Sequence, residues 1–583
     1  ISTATTRCAR SSSGRGRCSR PRCSGCRGCR CRPASATACR PACSSSPVDS
    51  RKRCVSPPAK RSRHARASSR RSIRSPGRDA GLFTGKRMNQ PTFEDWQARA
   101  AVLRVEGRAF IDGEARHAHT GATFACVSPI DGGVLAHVAD CGTDDVDLAV
   151  TAARRAFDAR SWAGMNPRAR KAVLQRWAAL MREHLDELAL LETLDTGKPI
   201  ADTTAIDVPA AAHCVDWYAE AIDKIGGEVA PVDHHLVGLV TREPIGVVAA
   251  VVPWNFPLLM AAWKFAPALA AGNSVVLKPS EKSPLTAIRV AQLACEAGIP
   301  PGVFSVVPGG AEPGRALALH RDVDCIAFTG STRTGQQIMA CAAQSNLKRV
   351  WLELGGKSPN IVLRDCPDLD RAAQAAADAI FFNMGEVCTA GSRLLVHRDI
   401  KDAFVAKLVG ASRRFAPGHP LDPSVTMGAI VDRTQLDRVM GYIDAGRDEG
   451  RLVTGGARVR EETGGFYVEP TVFEVKPDAK IAREEIFGPV LSVIVFDDVD
   501  EAVQIANDTK YGLAAAIWSA DLSTAHAVAR RLRAGTVWVN CYGDGSDDMN
   551  FPFGGYKLSG NGRDKSLHAL DKYTELKSTV VRL

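Results

Sequence analysis

The stretch 245–278 reads IGVVAAVVPWNFPLLMAAWKFAPALAAGNSVVLK. It opens with a short apolar, β-branched run, continues with a helix-like apolar segment and ends with a second strand-like run. Buried strands that alternate with helices of about a dozen residues are typical of a parallel sheet covered by helices on both faces. The stretch therefore predicts an α/β fold.

The same alternation continues beyond this stretch. Further strands are predicted at 303–307, 323–328 and 350–352, and further helices at 284–297, near Arg315 and at 334–343. Ligands of such sheets bind beyond the carboxyl ends of the strands. Four motif residues each follow a predicted strand: Asn255, Lys278, Gly330 and Glu353. We therefore expect these residues to share one cleft.

Three further segments surround this series. Between 174 and 188, apolar residues recur at helical spacing, which predicts one helix that stops at Gly197. The segment 226–242 alternates polar and apolar residues and predicts a hairpin outside the main sheet, used for subunit contact. From about 357 to 555, a second series of strands and helices is predicted, with a helix at 370–382 and strands at 394–396, 490–496 and 536–539.

The first 87 residues differ from the rest of the chain in composition. They hold 23 of the 75 Lys and Arg residues, two of the 64 Asp and Glu residues and nine of the 18 cysteines. Such a segment has too few apolar side chains to form a core, so we expect it to be disordered. Because the chain begins with Ile1 and its first methionine is Met88, we favour an over-extended reading frame. A transit peptide and a metal-binding or RNA-binding arm around Cys23, Cys26 and Cys29 are the alternatives.

The remainder of the chain is net acidic, which gives no general reason to expect a nucleic-acid partner. Its nine cysteines are scattered without metal-ligand spacing. This pattern is typical of reduced thiols, so we expect a cytoplasmic protein without a metal site. No apolar run approaches the ~20 residues that cross a bilayer, so no membrane partner is expected.

Three residues in small or turn-forming surroundings supply the groups that acyl-thioester chemistry needs. Cys388 lies in GEVCTAG, Glu353 begins ELGGK, and Asn255 lies in PWNFP. A thiol can act as nucleophile, a carboxylate as general base and an amide as oxyanion donor. Taken singly, each has an ordinary alternative, as a core cysteine, a surface glutamate and a turn asparagine.

Three other motifs suit a dinucleotide. GSTRTG at 330–335 follows a strand and opens a helix, where backbone amides can approach a pyrophosphate, although it departs from the GxGxxG pattern. KPSE at 278–281 can hold ribose hydroxyls, and Glu281 would repel a 2′-phosphate and so favour NAD over NADP. EEIFGP at 484–489 can contact a ribose and a nicotinamide ring. The alternatives are a tight turn, a solvated charged turn and an acidic surface pair.

From about residue 94 to the C-terminus, the chain resembles the NAD(P)-dependent aldehyde dehydrogenase superfamily. The resemblance rests on PWNFP, KPSE, FTGS, ELGGK, GEVCTAG, EEIFGPV and PFGGYKLSG. The segments ETLDTGKPI, WYAEAIDK, PGHPLDP and SGNGRDKSLHAL narrow it to the branch that oxidises γ-glutamyl-γ-aminobutyraldehyde in putrescine breakdown. It implies oxidation of an ω-amino or γ-glutamylamino aldehyde from polyamines to an acid. A broad-specificity or betaine-aldehyde-type enzyme, and a catalytically silent protein on the same scaffold, are the alternatives.

The resemblance also implies an aldehyde dehydrogenase-like fold. This fold has a Rossmann-like cofactor domain, an α/β catalytic domain and an oligomerisation hairpin, assembled as a homodimer or homotetramer. We assign 88–225 and 245–356 to the cofactor domain, 357–570 to the catalytic domain, and 226–244 with 571–583 to oligomerisation. The other implied partner is a small-molecule aldehyde.

The roles of single residues follow from the same resemblance. Cys388 is expected to attack the aldehyde carbon, and Asn255 with the Cys388 N–H to stabilise the oxyanion. Glu353 is expected to activate the water that hydrolyses the thioester left after hydride transfer to NAD or NADP. Lys278 is assigned to both the catalytic and the cofactor set. The cofactor positions implied are Trp254, Lys278, Ser280, Glu281, Gly314, Gly330, Ser331, Gly335, Glu485 and Phe487.

The chain departs from the family pattern in three places. Glu386 stands two residues before Cys388 where the family often has Gln, and this acid is expected to raise the pKa of the thiol. The loop 308–314 is one residue shorter, which affects the assignment of Gly314. The loop 543–549 is longer and carries three aspartates, which at a substrate entrance favour a cationic amine. A solvated loop is the alternative.

Overall fold

The computed structural model describes residues 91–545 and 548–583. The expectations for residues 1–87, and the position of Asp547 in the acidic loop, lie outside the described residues. Two seven-stranded sheets organise the described part of the chain: the first lies between two apolar cores, and the second packs in a third.

The first sheet contains the alternation predicted around 245–353. Its strand order is Arg349–Glu353, Cys325–Thr329, Val247–Val251, Ser274–Lys278, Phe304–Val306, Ala109–Ile111 and Glu114–Arg116. The first five strands run parallel, and the last two extend the sheet in antiparallel fashion. Val247–Val251 and Ser274–Lys278 are buried at every position. Burial on both faces explains why their sequences are continuous apolar runs.

Helices cover both faces of this sheet. Val248 and Ala250 join one apolar core, whereas Val247, Ala249 and Val251 join another on the opposite face. The longer helices are Phe93–Val102, Thr143–Asp158, Pro167–Glu183, Leu185–Thr196, Val208–Ala221, Pro257–Ala271, Leu285–Ala297, Ala311–Leu319 and Thr332–Gln344, and the short turns are Ile200–Asp202 and Thr203–Asp207. This arrangement matches the predicted parallel sheet with two helical layers.

The single helix predicted across 174–188 is wrong. The segment forms two helices, Pro167–Glu183 and Leu185–Thr196, which meet at His184. His184 has φ −97° and ψ 24°, outside the helical region, and its ring lies 2.7 Å from the Glu187 carboxylate. The apolar spacing continues across the bend, so periodicity alone does not reveal it. The second helix ends at Gly197, as predicted, with φ 80°.

The second sheet follows the same α/β pattern. Its strand order is Gly450–Thr454, Thr471–Val475, Val490–Phe496, Arg393–His397, Pro359–Val362, Ala514–Trp518 and Thr536–Val539. The strands are parallel except for the antiparallel edge strand Gly450–Thr454. Its helices are Leu369–Phe381, Lys401–Ser412, Arg433–Glu449, Lys480–Arg483, Val499–Asn507 and Leu522–Arg531. The four elements predicted here from sequence are all present.

A smaller third sheet contains the predicted hairpin. Glu228–Ala230 pairs with Leu236–Pro244, which pairs along its whole length with the C-terminal strand Thr574–Arg582. Two further ribbons complete the fold: Thr123–Val127 with Val134–Ala139, and Arg458–Val459 with Tyr467–Val468. Across the described ranges, the helices are too short or too polar to cross a bilayer.

Candidate active site

The predicted site residues lie along one edge of the first sheet. Lys278 and Glu353 are the last residues of their strands, Gly330 directly follows Cys325–Thr329, and Asn255 lies in the turn after Val247–Val251. The four strands are consecutive in the sheet order. Because they run parallel, their carboxyl ends meet at the same edge.

A cavity of about 850 Å³ opens at this edge. Seven of the ten predicted cofactor residues line it: Trp254, Lys278, Ser280, Glu281, Gly314, Gly330 and Ser331. Arg315 also lines it, is exposed and was not identified from the sequence motifs. Its position in the second turn of a helix whose first turn borders the cavity is the signal that could have identified it. A dinucleotide is of the size that such a cleft accommodates.

The cavity wall carries the helix start that was predicted to approach a pyrophosphate. Ser331 is the N-cap of Thr332–Gln344, and its hydroxyl accepts a hydrogen bond from the Thr334 N–H at 3.2 Å. The free backbone N–H groups and the dipole of a helix start favour an anion. The shortened loop does not remove Gly314 from this wall, because a Cβ there would stand 3.8 Å from the Lys278 Cδ.

Lys278 and Glu281 form a pair in the same wall. The Lys278 Nζ lies 3.7 Å from the Glu281 carboxylate and donates a hydrogen bond to the Pro279 carbonyl at 2.8 Å. Burial lowers the pKa of Lys278. The Glu281 side chain remains about half exposed, at 49%. The pair therefore offers one donor and one acceptor to hydroxyl groups in the cavity.

Gly335 does not line this cavity. It lies inside the helix Thr332–Gln344, and a Cβ there would stand 2.8 Å from Leu354 Cδ2. The glycine therefore allows close packing of the helix on the segment that follows Glu353. The side of the helix that carries Gly335 packs on Leu354, and the predicted contact of Gly335 with a cofactor stays a prediction.

Glu485 and Phe487 connect the second half of the chain to this edge. The Phe487 ring lies 5.2 Å from the Trp254 ring, nearly perpendicular to it. Glu485 is half-buried, and its Oε1 accepts a hydrogen bond from the Gly356 N–H at 2.8 Å. Glu485 thus holds the loop after Glu353, and its contact with a ribose stays a prediction.

The loop around Cys388 packs directly on the loop after Glu353. A Cβ on Gly356 would stand 2.3 Å from the Cys388 carbonyl oxygen, so only glycine fits there. The Tyr542 hydroxyl donates a hydrogen bond to the Thr389 carbonyl at 2.6 Å. Cys388 itself is half-buried, so a substrate can reach it.

Asn255 is held beside the same loop. Its side-chain Nδ2 donates a hydrogen bond to the Glu386 carbonyl oxygen at 2.7 Å, two residues before Cys388. Asn255 is 5% exposed. The hydrogen bond therefore holds the Asn255 amide beside the loop that carries Cys388, and its role as an oxyanion donor stays a prediction.

The environment of Cys388 disfavours its thiolate. Burial raises the pKa of Cys388 to about 12, and the carboxylates of Glu485 and Glu353 add to this effect. The acids that raise the pKa of Cys388 here are Glu485 and Glu353, and the expected effect of Glu386 stays a prediction. The Glu386 carboxylate accepts a hydrogen bond from the Val431 N–H at 3.2 Å, and burial holds the pKa of Glu386 well above its usual range. Glu386 is therefore a buried acid whose charged form is disfavoured and which contacts another segment.

Glu353 is a buried carboxyl with free acceptor capacity. It is 3% exposed, and within the described part of the chain neither of its oxygens has a hydrogen-bond partner. A Cβ on Gly554 would stand 2.7 Å from its Oε1, so glycine makes room for it. Burial, followed by the nearby Asp564, raises the pKa of Glu353 well above its usual range. A carboxyl of this kind is suited to exchange a proton with water.

A buried ionic cluster near Glu353 was not identified from the sequence. Lys264 and Lys572 both pair with Asp564, and all three side chains are almost fully buried. Burial favours the neutral form of Asp564, but the two lysines outweigh it and hold the pKa of Asp564 below its usual range. The sequence signal was present, since Lys264 interrupts the otherwise apolar helix Pro257–Ala271.

Residues 116–579 match the aldehyde dehydrogenase family. The chain belongs to that family. The resemblance stated from the motifs and the expected fold are thereby confirmed.

Three similar proteins cover nearly all of the described chain. The NADP/NAD-dependent aldehyde dehydrogenase PuuC of Escherichia coli is 54% identical over 490 residues, which span 84% of this chain and 98% of the relative. The crystal structure of a γ-glutamyl-γ-aminobutyraldehyde dehydrogenase from Burkholderia cenocepacia is 82% identical, with a TM-score of 0.84, over 84% of this chain and all of that one. The P. syringae indole-3-acetaldehyde dehydrogenase AldA, in complex with NAD+ and IAA, is 60% identical, with a TM-score of 0.83 and the same coverage.

Proposed function

We propose that this aldehyde dehydrogenase oxidises an ω-amino or γ-glutamylamino aldehyde from polyamine degradation to its carboxylic acid, with NAD or NADP as oxidant. The observation that carries the proposal is the convergence of three groups. Asn255 hydrogen-bonds to the carbonyl two residues before Cys388, and the loop after Glu353 packs on the Cys388 backbone. This convergence lies at the sheet edge that also bears the cavity.

The first step is attack by the Cys388 sulfur on the aldehyde carbon, which forms a thiohemiacetal. The side-chain N–H of Asn255 and the backbone N–H of Cys388 stabilise the charge that develops on the aldehyde oxygen. Because burial and two acids raise the pKa of Cys388, the attacking thiolate is a minor species at neutral pH. Attack is therefore favoured at alkaline pH.

The residues of the cavity fit a nicotinamide dinucleotide. The helix start at Ser331 suits its pyrophosphate, and Lys278 with Glu281 suits the hydroxyls of its ribose. When bound there, the nicotinamide supplies the hydride acceptor. Trp254 lines the cavity, and the Phe487 ring lies 5.2 Å from the Trp254 ring.

Release of the acid requires a base. After hydride transfer, the acyl group remains on the Cys388 sulfur as a thioester. Glu353 takes a proton from the water that attacks this thioester. Its raised pKa brings it closer to neutrality, where a general base works best.

The acidic loop supports a cationic substrate. The loop starts after Tyr542, which contacts the Cys388 loop, and it carries the exposed Asp544. The Trp538 N–H holds the Asp544 backbone carbonyl at 3.0 Å, which leaves the carboxylate at the surface, 3.8 Å from Arg371. The name of the 82% identical structure supports an amino-group-bearing aldehyde, whereas that of the P. syringae relative supports the broad-specificity alternative.

We extend the proposal to the organisation of the protein. Separate apolar cores support a cofactor domain formed by 88–225 with 245–356 and a catalytic domain formed by 357–570. The third sheet, formed by 226–244 and 571–583, exposes apolar side chains that support its use in a homodimer or homotetramer. We propose the cytoplasm as its location.

The test is a screen of aldehydes with both cofactors. We expect NAD(P) reduction with 3-aminopropanal, 4-aminobutanal and γ-glutamyl-γ-aminobutyraldehyde, at higher kcat/KM than with indole-3-acetaldehyde. Cys388→Ala should abolish reduction, whereas Cys295→Ala, which alters an exposed thiol, should not. Reduction retained by Cys388→Ala contradicts the mechanism, and no reduction with any aldehyde favours a catalytically silent protein.

A further inference from the structure

The segment that leads into Cys388 has an unusual backbone. Asn383, Met384 and Gly385 are consecutive residues with φ of 48°, 53° and 73°. Residues other than glycine rarely adopt this left-handed backbone conformation, and it persists only where contacts with the surrounding structure hold it. Contacts of Asn383, the first of the three residues, hold the backbone in this conformation.

The Asn383 side chain joins the two loops that carry the nucleophile and the oxyanion donor. Its Nδ2 lies 3.2 Å from the backbone carbonyl oxygen of Asn255 and 3.2 Å from that of Glu386. The Asn255 Nδ2 donates to the same Glu386 carbonyl at 2.7 Å. All three residues are 5% exposed or less. These three hydrogen bonds therefore link Asn255 to Glu386, which lies two residues before Cys388.

One N–H of the Asn255 side chain takes no part in these three hydrogen bonds. An amide NH₂ has two hydrogens and a carbonyl oxygen has two lone pairs. Asn383 uses both of its hydrogens, and the Glu386 carbonyl uses both of its lone pairs. Asn255 uses one hydrogen and keeps the second. This remaining N–H can donate a hydrogen bond to an aldehyde oxygen.

The orientation of the Asn383 amide is fixed by the same contacts. Rotating it by 180° would place its oxygen against two carbonyl oxygens, which repel it. In the observed orientation, its Oδ1 is buried and lacks a hydrogen-bond partner in the part of the chain that the structure describes. A buried acceptor without a partner is costly, so the two donated bonds outweigh that cost.

We propose that Asn383 is a positioning residue for the oxyanion hole. It ties the backbone of Asn255 to the segment before Cys388, so that the free N–H of the Asn255 amide is held in register with the sulfur. The inference rests on the proposed function. It assigns to Asn383 no contact with substrate, and its effect on turnover passes through Asn255.

The test compares kcat with two measurements that do not involve an oxyanion. Asn383→Gly removes the amide but keeps the left-handed backbone accessible, since glycine favours it. We expect kcat to fall about tenfold or more, because a misplacement of ~1 Å can cost ~10²-fold. NADH affinity, measured by fluorescence, and alkylation of Cys388 by iodoacetamide should stay unchanged. Leu347→Gly is the matched control, because Leu347 also has φ 59° and is 80% exposed.

A double-mutant cycle separates positioning from a structural role. In an Asn255→Ala background, Asn383→Gly should change kcat within about twofold, because the group it positions is absent. Asn383→Asp, which keeps the size but loses both donors, should behave like Asn383→Gly. The inference is overturned if the fold-loss in kcat from Asn383→Gly multiplies with that from Asn255→Ala, or if both Asn383 variants keep full activity. Either result leaves the proposed function standing. An inactive wild-type enzyme overturns it together with the proposed function.

Discussion

At the residue scale, Cys388 and Glu353 share one property. Both are acids whose charged forms are disfavoured by burial, and each carboxylate nearby adds to the effect on the thiol. The structure therefore favours the protonated forms of the proposed nucleophile and the proposed base more strongly than water does. Because the thiolate is the form that oxidants and alkylating agents attack, we expect Cys388 to react slowly with such agents at neutral pH.

The pH dependence of alkylation tests this property. An ordinary cysteine, with a pKa near ~8.5, reaches its full rate soon after that pH. Because the folded protein raises the pKa of Cys388 to about 12, its thiolate fraction should still be increasing between pH 9 and 10.5. We expect the rate of iodoacetamide labelling at Cys388, followed by peptide mass spectrometry without cofactor, to rise across this range. The prediction is contradicted if the labelling rate of Cys388 levels off at the same pH as that of a free peptide with the sequence GEVCTAG.

At the element scale, the loops rather than the strands decide the site. The strands 247–251, 274–278, 325–329 and 349–353 were predicted from apolar runs, and so was the edge at which they end. The motifs also predicted most of the cavity wall. The bend at His184 and the two short edge strands 109–111 and 114–116 were not predicted, because an unbroken helical period hides a bend and strands of three residues carry little pattern.

The chemistry of individual side chains was less predictable than their location. Glu386 was expected to act on the thiol, and its carboxylate accepts a hydrogen bond from the Val431 N–H, a contact that the sequence did not indicate. Gly335 was expected at the cofactor, and the structure places it against Leu354. In both cases the direction in which a residue faces depends on its local backbone, which residue types and spacing do not specify. Arg315 went unnoticed for the same reason.

The close approach of two loops gives a second prediction. Gly356→Ala would place a methyl group 2.3 Å from the Cys388 carbonyl oxygen, so one of the two loops must move. We expect the unfolding free energy to fall by about 1–3 kcal/mol, as overpacking usually costs, and kcat to fall with it. Denaturant unfolding and steady-state kinetics measure both. Gly410→Ala, in a helix with no neighbour within 4 Å, is the control and should be neutral or stabilising.

At the scale of the whole molecule, the third sheet has surfaces that one chain leaves uncovered. Leu576 and Val580 lie on one of its faces and are 62% and 64% exposed. Val229 and Leu239 lie on the other face and are 76% and 38% exposed. Apolar side chains grouped in this way mark a contact surface more often than a free one. The sheet joins the C-terminal strand to the hairpin 226–244, so a partner that covers it also stabilises the chain end.

The third prediction concerns this sheet. The double variant Leu576→Glu with Val580→Glu should shift the protein to a smaller species in size-exclusion chromatography with light scattering, because burying two charges in an interface is costly. Val102→Glu, which alters a 77% exposed side chain on a surface helix, should leave the oligomer intact. An unchanged mass for the double variant would contradict the proposed use of this sheet in subunit contact.

The central claim is a covalent thioester on the Cys388 sulfur, and trapping it is the most direct test. Glu353→Gln keeps the shape of the base but removes its ability to accept a proton, so hydrolysis should become slow while hydride transfer proceeds. Mixed with 4-aminobutanal and NAD, this variant should give one burst of NADH and an acyl adduct, found by acid-quenched mass spectrometry on the peptide that contains Cys388. A burst without an adduct on that peptide, or an adduct on another cysteine, would contradict the account.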